Sequence, residues 1–442
     1  MQHMKLKLAA AITAALLSTT AMADAWTTTQ TTTPGSDTEV LQQGTTSSTQ
    51  AFNAINISGT HTSGTQTAAM GTNKLTLNQG SATGSVGTSK QAANYLKAAT
   101  ITAGTQAHTG TGNIELNQNA AGIGTGNLQA VNAANATTAV TAITQNVATG
   151  TNVALSQSTG GANRQVVNDI DAVLVTNATQ TASPVGTLGL TQSGSGAQTQ
   201  AANNITATTL TAATQTTAPT GALSLSQSGT GANTQAANRA DGGSNAIGTL
   251  SQTTTNTAAG TMNQDGGTGK KTQALNMANG AGVTTSTTQT TTGELAMNQG
   301  STTAVADDSQ QAANLLKSTG TGTVTLATQT LGAAGAAKDF TLTQTKTGAA
   351  GTVQAGNLID MSEATAAGAL TASDQKVITT GTLTLAQDAS TVMKGIQAGN
   401  AILAGTNAGG SATQAVTATN LVMTQTSAID SFQAANYLGD KL

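Results

Sequence analysis

Short runs of alternating apolar and polar residues recur along the chain, and each ends in a glutamine. Residues 75–79 (LTLNQ) and 223–227 (LSLSQ) are two examples. A period of two places both leucines and the glutamine on one face of a β-strand, with the polar residues between them on the other. The runs therefore predict short strands whose apolar face also carries an amide.

Three series of amide residues repeat in register along the chain, and the first has a period of 35 to 45 residues. The first series ends the alternating runs: Gln43, Gln79, Gln118, Gln157, Gln192, Gln227, Gln264, Gln299, Gln344, Gln387 and Gln425. The second is a Gln-x-x-Asn motif with glutamines Gln50, Gln91, Gln129, Gln165, Gln200, Gln235, Gln273, Gln311, Gln354, Gln397 and Gln433. Its asparagines are Asn53, Asn94, Asn132, Asn168, Asn203, Asn238, Asn276, Asn314, Asn357, Asn400 and Asn436. The third, usually preceded by Thr, is Gln30, Gln66, Gln106, Gln145, Gln180, Gln215, Gln252, Gln289, Gln329, Gln375 and Gln414.

Eleven copies of this repeat predict an all-β fold, a β-solenoid whose repeats each contribute three strand arms. One repeat has too thin an apolar stripe to fold alone, but stacked repeats bury a continuous stripe. Equivalent amides then lie about 4.8 Å apart and can hydrogen-bond along the stack, as structural ladders. Spacing alone leaves open a rung of two arms, or a repeat that spans two rungs.

Composition supports a repetitive fold over an ordinary globular one. Aromatic residues make up 1% of the chain and charged residues 7%, whereas ordinary domains carry about 25% charged residues. A chain with so few large side chains cannot fill a thick core. A flexible Gln/Asn-rich spacer is the alternative, but a spacer has no need for Leu-x-Leu at matched places.

The first 23 residues predict a signal peptide, with a basic start, an apolar run over residues 8–17 and an Ala-Met-Ala site at 21–23. Without Lys5 and Lys7 the mature chain has 13 basic and 18 acidic residues, a net charge of −5. That charge disfavours a nucleic-acid partner, and no later run is long enough to insert in a membrane. There is no cysteine to form disulfides. We divide the chain into residues 1–23, a donor-like strand segment at 24–38, and the solenoid at 39–442.

The mature chain begins in a third arm and ends just after a second arm. The two ends complement each other, so we expect the N-terminal segment of one subunit to complete the last rung of the next by strand addition. Such a contact is head to tail and generates a homopolymer of the chain. The expected polymer contacts are Trp26, Gln30, Gln433, Asn436, Tyr437 and Leu438.

Residues 192–194 (QSG) and 225–235 (LSQSGTGANTQ) resemble repeats of curlin and, more broadly, of bacterial functional amyloids. The resemblance implies secretion across the outer membrane with the help of secretion machinery, and assembly into biofilm matrix fibres at the cell surface. It covers the repeat style of the whole mature chain. These repeats differ in being longer, in having a third arm and in mostly lacking aromatic residues near the glutamines.

Residues suited to catalysis or to metal binding are scarce. His61 and His108 are expected in variable turns, as solvated histidines without a ligand set. Asp169 and Asp171 are expected to be exposed loop acids, because no ligand-rich calcium loop surrounds them. We therefore expect no enzyme activity, no cofactor and no metal site.

These patterns predict an exported structural subunit that polymerises head to tail into an extracellular fibre. Two alternatives remain: a monomeric Thr-rich solenoid that binds ice, or the stalk of an adhesin. Thr-x-Thr does not recur at one aligned place in every repeat, which counts against ice binding. The repeats run from end to end of the chain, which leaves no room for an adhesin tip.

Signal-peptide cleavage after Ala23 gives a direct test of export. Expression of the full chain in a bacterial host should yield a mature protein that begins at Asp24, or after Ala25 as the second choice of site. Mass spectrometry of the extracellular and cytoplasmic fractions measures this. An uncleaved chain confined to the cytoplasm would contradict the prediction.

Overall fold

The structure is a computed structural model that describes residues 25–42, 47–80, 88–118, 124–149, 152–158, 161–300, 303–304, 306–320, 322–345, 351–364, 369–388, 395–404, 410–426 and 430–439. The predicted signal peptide lies outside these residues. The described chain consists of β-strands joined by turns and loops, and no helix occurs in it. The predicted all-β class is therefore confirmed.

The described residues form thirty-two strands, numbered in chain order, and because β15 contributes to two arms they make up three arms of eleven rungs each. The first arm comprises β2 (Thr38–Gln42), β5 (Leu75–Gln79), β8 (Ile114–Gln118), β11 (Val153–Gln157), β14 (Leu188–Gln192), β16 (Leu223–Gln227), β19 (Gly260–Gln264), β22 (Leu295–Gln299), β25 (Phe340–Gln344), β28 (Thr382–Asp388) and β31 (Asn420–Thr426). The second comprises β3 (Thr49–Asn56), β6 (Lys90–Ile101), β9 (Leu128–Val140), β12 (Arg164–Val175), the first part of β15 (Thr199–Thr217), β17 (Thr234–Asp241), β20 (Thr272–Gly280), β23 (Gln310–Ser318), β26 (Val353–Asp360), β29 (Ile396–Leu403) and β32 (Phe432–Gly439). The third comprises β1 (Ala25–Thr32), β4 (Thr60–Gly71), β7 (Gly104–Gly110), β10 (Ile143–Thr149), β13 (Ala178–Pro184), the second part of β15, β18 (Ile247–Thr255), β21 (Val283–Thr292), β24 (Ala327–Gly332), β27 (Ala372–Ile378) and β30 (Ser411–Thr417).

Strand pairing shows that one repeat is one rung of the solenoid. Each first-arm strand pairs in parallel with the first-arm strand of the next repeat, as Gln157 with Gln192. The second arm follows the same rule, as Asn168 with Asn203, and so does the third, as Gln145 with Gln180. The predicted β-solenoid with three arms per rung is confirmed, and this register excludes rungs of two arms and repeats of two rungs.

The first series of glutamines needs one correction at its start. Gln42, and not Gln43, pairs with Gln79, and the Nε2 atom of Gln79 donates to Oε1 of Gln42 at 2.7 Å. Strand alternation explains the shift, because Val40 and Gln42 share the inward face that Leu77 and Gln79 occupy one rung later. Gln43 itself lies outside the described residues.

The inward faces of the three arms meet in a narrow apolar core. Leu155 and Leu190 of the first arm, Val167 of the second and Val147 and Ala182 of the third belong to one buried cluster that extends through the stack. A second buried cluster fills the wedge between the second and third arms, with Ile170, Ile205 and Leu250 among its members. Alanine and valine at many of these positions keep the arms close together.

Four columns of buried amides run through this core and link the rungs. Along the first arm, each Nε2 donates to the preceding glutamine's Oε1 at 2.5 to 3.1 Å. Second-arm glutamines do the same at 2.7 to 3.3 Å. Third-arm glutamines do so at 2.7 to 2.8 Å. The asparagines donate in the opposite direction, to the following rung, at 2.7 to 2.8 Å.

The second N–H of these amides joins one arm to another. Gln165 of the second arm donates to the first-arm carbonyl of Leu116 at 2.8 Å and to that of Ser156 at 3.0 Å. Asn168 donates to the third-arm carbonyl of Thr181 at 2.9 Å, and Gln180 of the third arm to the second-arm carbonyl of Asn204 at 2.9 Å. The amides therefore fix both the register of the stack and the positions of the arms within a rung.

Loss of one ladder amide should destabilise the solenoid strongly. Gln215→Met keeps the volume but leaves the Oε1 of Gln180, the carbonyl of Arg239 and one N–H of Gln252 without their partner. Each such buried group costs about 1–3 kcal/mol, so we expect a loss of at least about 3 kcal/mol in the free energy of unfolding.

Urea denaturation, with hydrogen exchange at the neighbouring rungs, measures this loss. Thr214→Ala is the matched control, because its side chain lies on the outer face of the same strand and should change stability by under about 1 kcal/mol. Equal effects of the two substitutions would contradict a structural role for the ladder.

Candidate functional site: the two open edges

Among the described residues, three strand edges at each end of the solenoid have no partner strand. At the N-terminal end these are the outer edges of β1, β2 and β3, and at the C-terminal end those of β30, β31 and β32. No strand of the described residues pairs with any of the six. Unpaired strand edges in solvent are templates for pairing with another chain.

The C-terminal edge uncovers residues that continue the apolar core. Leu421 and Met423 of β31 pair with Leu383 and Leu385, which are both 0% exposed, but are themselves 47% and 41% exposed. Leu438 of β32, on the inward face, is 61% exposed. These exposed side chains are therefore the end of the apolar columns that are buried inside the stack.

The predicted polymer contacts all lie on these two edges. Trp26 is exposed on β1, and Gln30 on the same strand accepts a hydrogen bond from Gln66 at 2.8 Å. Gln433, Asn436 and Leu438 lie on the inward face of β32 and extend the core columns. The structure therefore divides these residues between opposite ends of one subunit.

Tyr437 has a different environment from its neighbours on β32. Its ring lies 5.7 Å from the ring of Phe432, at an interplanar angle of 53°. It packs against the outer side of the second arm, next to Ala401 and Leu403. Tyr437 therefore extends an outer surface instead of a ladder.

The amide ladders have a direction, which the two edges display. At the N-terminal edge the Nε2 atoms of Gln30, Gln42 and Gln50 donate to nearby backbone carbonyls at 3.0 to 3.5 Å. At the C-terminal edge no described residue donates to the Oε1 atoms of the last glutamines, which are Gln414, Gln425 and Gln433. The asparagine ladder runs the other way and ends in the Nδ2 group of Asn436.

The segment that the sequence suggested as a donor strand is paired within its own chain. β1 stacks in parallel on β4, with Gln30 opposite Gln66. Thr32 Oγ1 donates to Oδ1 of Asn53 at 2.7 Å, as Thr254 does to Asn276 inside the stack. β1 is thus paired like the internal third-arm strands, and only its outer edge lacks a partner strand among the described residues.

Sequence reasoning missed a crease on the outer side of the second arm. The residue directly after each motif glutamine is alanine or valine and is buried along most of the stack, although it lies opposite the core side; Ala130, Val166 and Ala201 are examples, and we call this strip the crease. Further along the stack Leu315 and Leu358 join a second such cluster. The sequence did contain a signal for this buried strip: the residue directly after each motif glutamine is always alanine or valine, whereas the residue type at a solvent-facing position would vary more from repeat to repeat.

Asp169 and Asp171 lie in this crease, so their assignment to an exposed loop was wrong. Both belong to β12; Asp169 is 1% exposed, and each carboxylate lies 3.0 Å from Arg164 Nη2. Burial raises the pKa of Asp169, against the opposing attraction of Arg164. Arg164 and the two acids therefore form a charge cluster on β12, in which Asp169 is buried and the side chain of Asp171 remains 39% exposed.

The expectation of solvated turn histidines was also wrong. His61 lies in β4 and His108 in β7, and each is 1% exposed. Nε2 of His61 lies 3.1 Å from Thr28 Oγ1, which ties β4 to β1, whereas neither ring nitrogen of His108 has a hydrogen-bond partner in the part of the chain that the structure describes. Burial lowers the pKa of His108 to about 4. Both histidines occupy inward positions of their strands. The sequence did not reveal this, because a polar residue at such a position interrupts the alternation of apolar and polar residues.

Within the described residues there is no group of three or more His, Cys, Asp or Glu side chains able to hold a metal ion. The same residues include no helix long and apolar enough to cross a membrane.

The chain matches no protein-family model, no curated protein and no solved structure.

We expect His108 to make the solenoid sensitive to acid. Its pKa is about 4 when folded and about 6.5 when unfolded, so the unfolded chain binds the proton more tightly. The contribution of neutral His108 is complete above pH 6.5 and falls as the pH drops toward 4, by up to about 3 kcal/mol.

The matched variant is His108→Val, which copies Val147 on the neighbouring strand. Urea denaturation of both proteins between pH 4 and 7.5 should show that the difference between them grows as the pH falls. Because His61 is present in both, it does not contribute to that difference. Parallel stability curves would refute the assignment.

Proposed function

We propose that this protein is an exported structural subunit that polymerises head to tail into an extracellular fibre. The observation that carries the proposal is the match between the two open edges. β30, β31 and β32 of one subunit would pair with β1, β2 and β3 of the next, arm for arm. The proposed joint would then repeat the parallel pairing that joins every pair of rungs inside the subunit.

The register of the joint follows from the ladders. Gln30, Gln42 and Gln50 of the next subunit would donate to the Oε1 atoms at the C-terminal edge, and Asn436 would donate to Asn53 of the next subunit. All four columns would continue with donors facing acceptors. In a tail-to-tail contact the glutamine Oε1 atoms would face one another, so ladder direction favours a heterologous contact and an open filament.

The apolar columns match across the same joint. With the amides in register, Met423 would stack on Val40 of the next subunit and Leu438 on Ile55. Val40 and Ile55 already face the core. Burial of exposed apolar area stabilises association by about 25 cal/mol per Å² before the cost of ordering.

This joint needs no exchange of a strand between subunits. β1 keeps its pairing with β4 and offers only its outer edge, so both subunits stay folded as they are. Pre-organised edges bind without the entropic cost of ordering a free segment. The predicted signal peptide and the curlin-like repeats support an extracellular location, and the biofilm matrix or the cell surface is the setting we propose.

The purified mature chain should form filaments, visible by electron microscopy, with a rung spacing of about 4.8 Å and a subunit repeat of about 53 Å. Met423→Arg places a charge in the apolar column of the joint and should leave folded monomers. Val422→Lys is the matched control, because this exposed neighbour points to the outer face of the same strand. Filaments of normal length from Met423→Arg, or only discrete rods from the unaltered chain, would contradict the proposal.

A mixing experiment tests the polarity of the joint. A Met423→Arg subunit retains a normal N-terminal edge, so it should add to the C-terminal edge of an unaltered filament and block further growth there. A small fraction of this variant should therefore shorten the filaments in proportion to its share. Val422→Lys at the same fraction should leave filament length unchanged, and equal shortening by both variants would exclude a head-to-tail joint.

A further inference from the structure

The outward face of the third arm carries two columns of threonine in register, one on each side of the ladder glutamine. The column before the glutamine has threonine at nine of eleven rungs: Thr29, Thr65, Thr105, Thr144, Thr179, Thr214, Thr288, Thr328 and Thr413. The column after it has seven: Thr31, Thr67, Thr181, Thr216, Thr253, Thr290 and Thr330. Thr-x-Thr is thus absent from some rungs, as the sequence indicated, but where it occurs it is aligned.

Strand propensity alone does not account for these columns. Threonine favours exposed strand positions in general, so the outward face of the first arm should show it equally. There the two corresponding columns hold threonine at only four and three of eleven rungs. Glutamate, glycine, alanine and asparagine take other places, as Glu115, Gly189 and Ala296 show. The enrichment is specific to one face.

We propose that this threonine face binds ice, through an ordered layer of water on its hydroxyl and methyl groups. The ladder beneath fixes the spacing of the face: about 4.8 Å between rungs and about 6.6 Å between the two columns. A surface that is periodic in two directions suits a ligand that is itself periodic in two directions, and the surface of an ice crystal is periodic in this way. Hydroxyls hold water by hydrogen bonds, while fixed methyl groups between them limit where it can sit.

The absence of charge on most of the face supports this ligand over a charged partner. Across the nine third-arm strands from β1 to β24, the two columns contain only threonine, serine, alanine and asparagine. Charges appear only one rung later, as the Asp374–Lys376 ion pair at 2.5 Å. A second copy lying along the whole face would bury that pair at a cost in desolvation, whereas an ice plane needs only the uncharged stretch of about 38 Å.

Ice binding and polymerisation use different surfaces, so each can be tested without the other. The threonine columns run along the side of the solenoid, away from the open edges of β30 to β32. The Met423→Arg monomer therefore retains the whole face and serves as a soluble background for the measurement. Failure of the filament proposal would leave this one intact, and the reverse also holds.

The test is thermal hysteresis together with ice recrystallisation in a Met423→Arg background. The parent should shape ice crystals and show a hysteresis gap. Adding Thr214→Lys and Thr288→Lys, both at exposed positions of the face, should reduce the gap at least fivefold. Adding Ser224→Lys and Ala296→Lys, on the outward face of the first arm, introduces the same charge and should leave it unchanged.

Three results would overturn the inference: no ice activity in the parent, equal loss in both double variants, or no loss in the threonine-face variant. Sedimentation provides a second readout for a competing ligand. A different outcome would be that the parent forms dimers and has no effect on ice, while the threonine-face variant is monomeric. In that case the face binds a second copy of the chain instead of ice. Circular dichroism of all variants establishes that they remain folded.

Discussion

The buried primary amide is the group on which this structure depends. An amide withdrawn from water loses about 1–3 kcal/mol unless its donors and its acceptor all find partners. One rung alone cannot supply them, because the acceptor of each ladder glutamine is satisfied by the rung that follows it. Repetition satisfies every rung except those at the two ends. The same requirement that holds the stack together therefore leaves two complementary, incompletely bonded surfaces.

The ladders also explain how a chain with 1% aromatic residues can be stable. A narrow core of alanine, valine and leucine buries little apolar area per rung. Amide hydrogen bonds supply specificity that large side chains supply elsewhere, since a slip of one residue would place every amide on the outside. Cross-arm bonds such as that from Asn168 to the carbonyl of Thr181 then hold the three arms at fixed positions. The amide hydrogen bonds thus determine both the register between rungs and the arrangement of the three arms within a rung.

Much of this architecture could be predicted from the sequence because it is periodic. The alternation in residues 75–79 and the eleven amide repeats were enough for the strands, the arms and the stack. The errors fell where periodicity was ambiguous or where a polar residue was assumed to face water. Two adjacent glutamines, Gln42 and Gln43, allowed either register, and only the position of Val40 relative to the core decides between them. His108 and Asp169 are buried because their strand positions face closed surfaces, which composition does not reveal.

The outer faces show which properties of a solenoid the ladders do not determine. Inward positions are constrained by amide geometry, but outward positions are free to differ from arm to arm. The first arm varies from rung to rung, the second carries a strip of buried small apolar residues, and the third repeats threonine. If stacking were the sole requirement on this chain, its two open outer faces would have similar compositions. Their difference indicates that the third-arm face meets a requirement that stacking does not impose, and the ice binding that we propose for this face would be such a requirement.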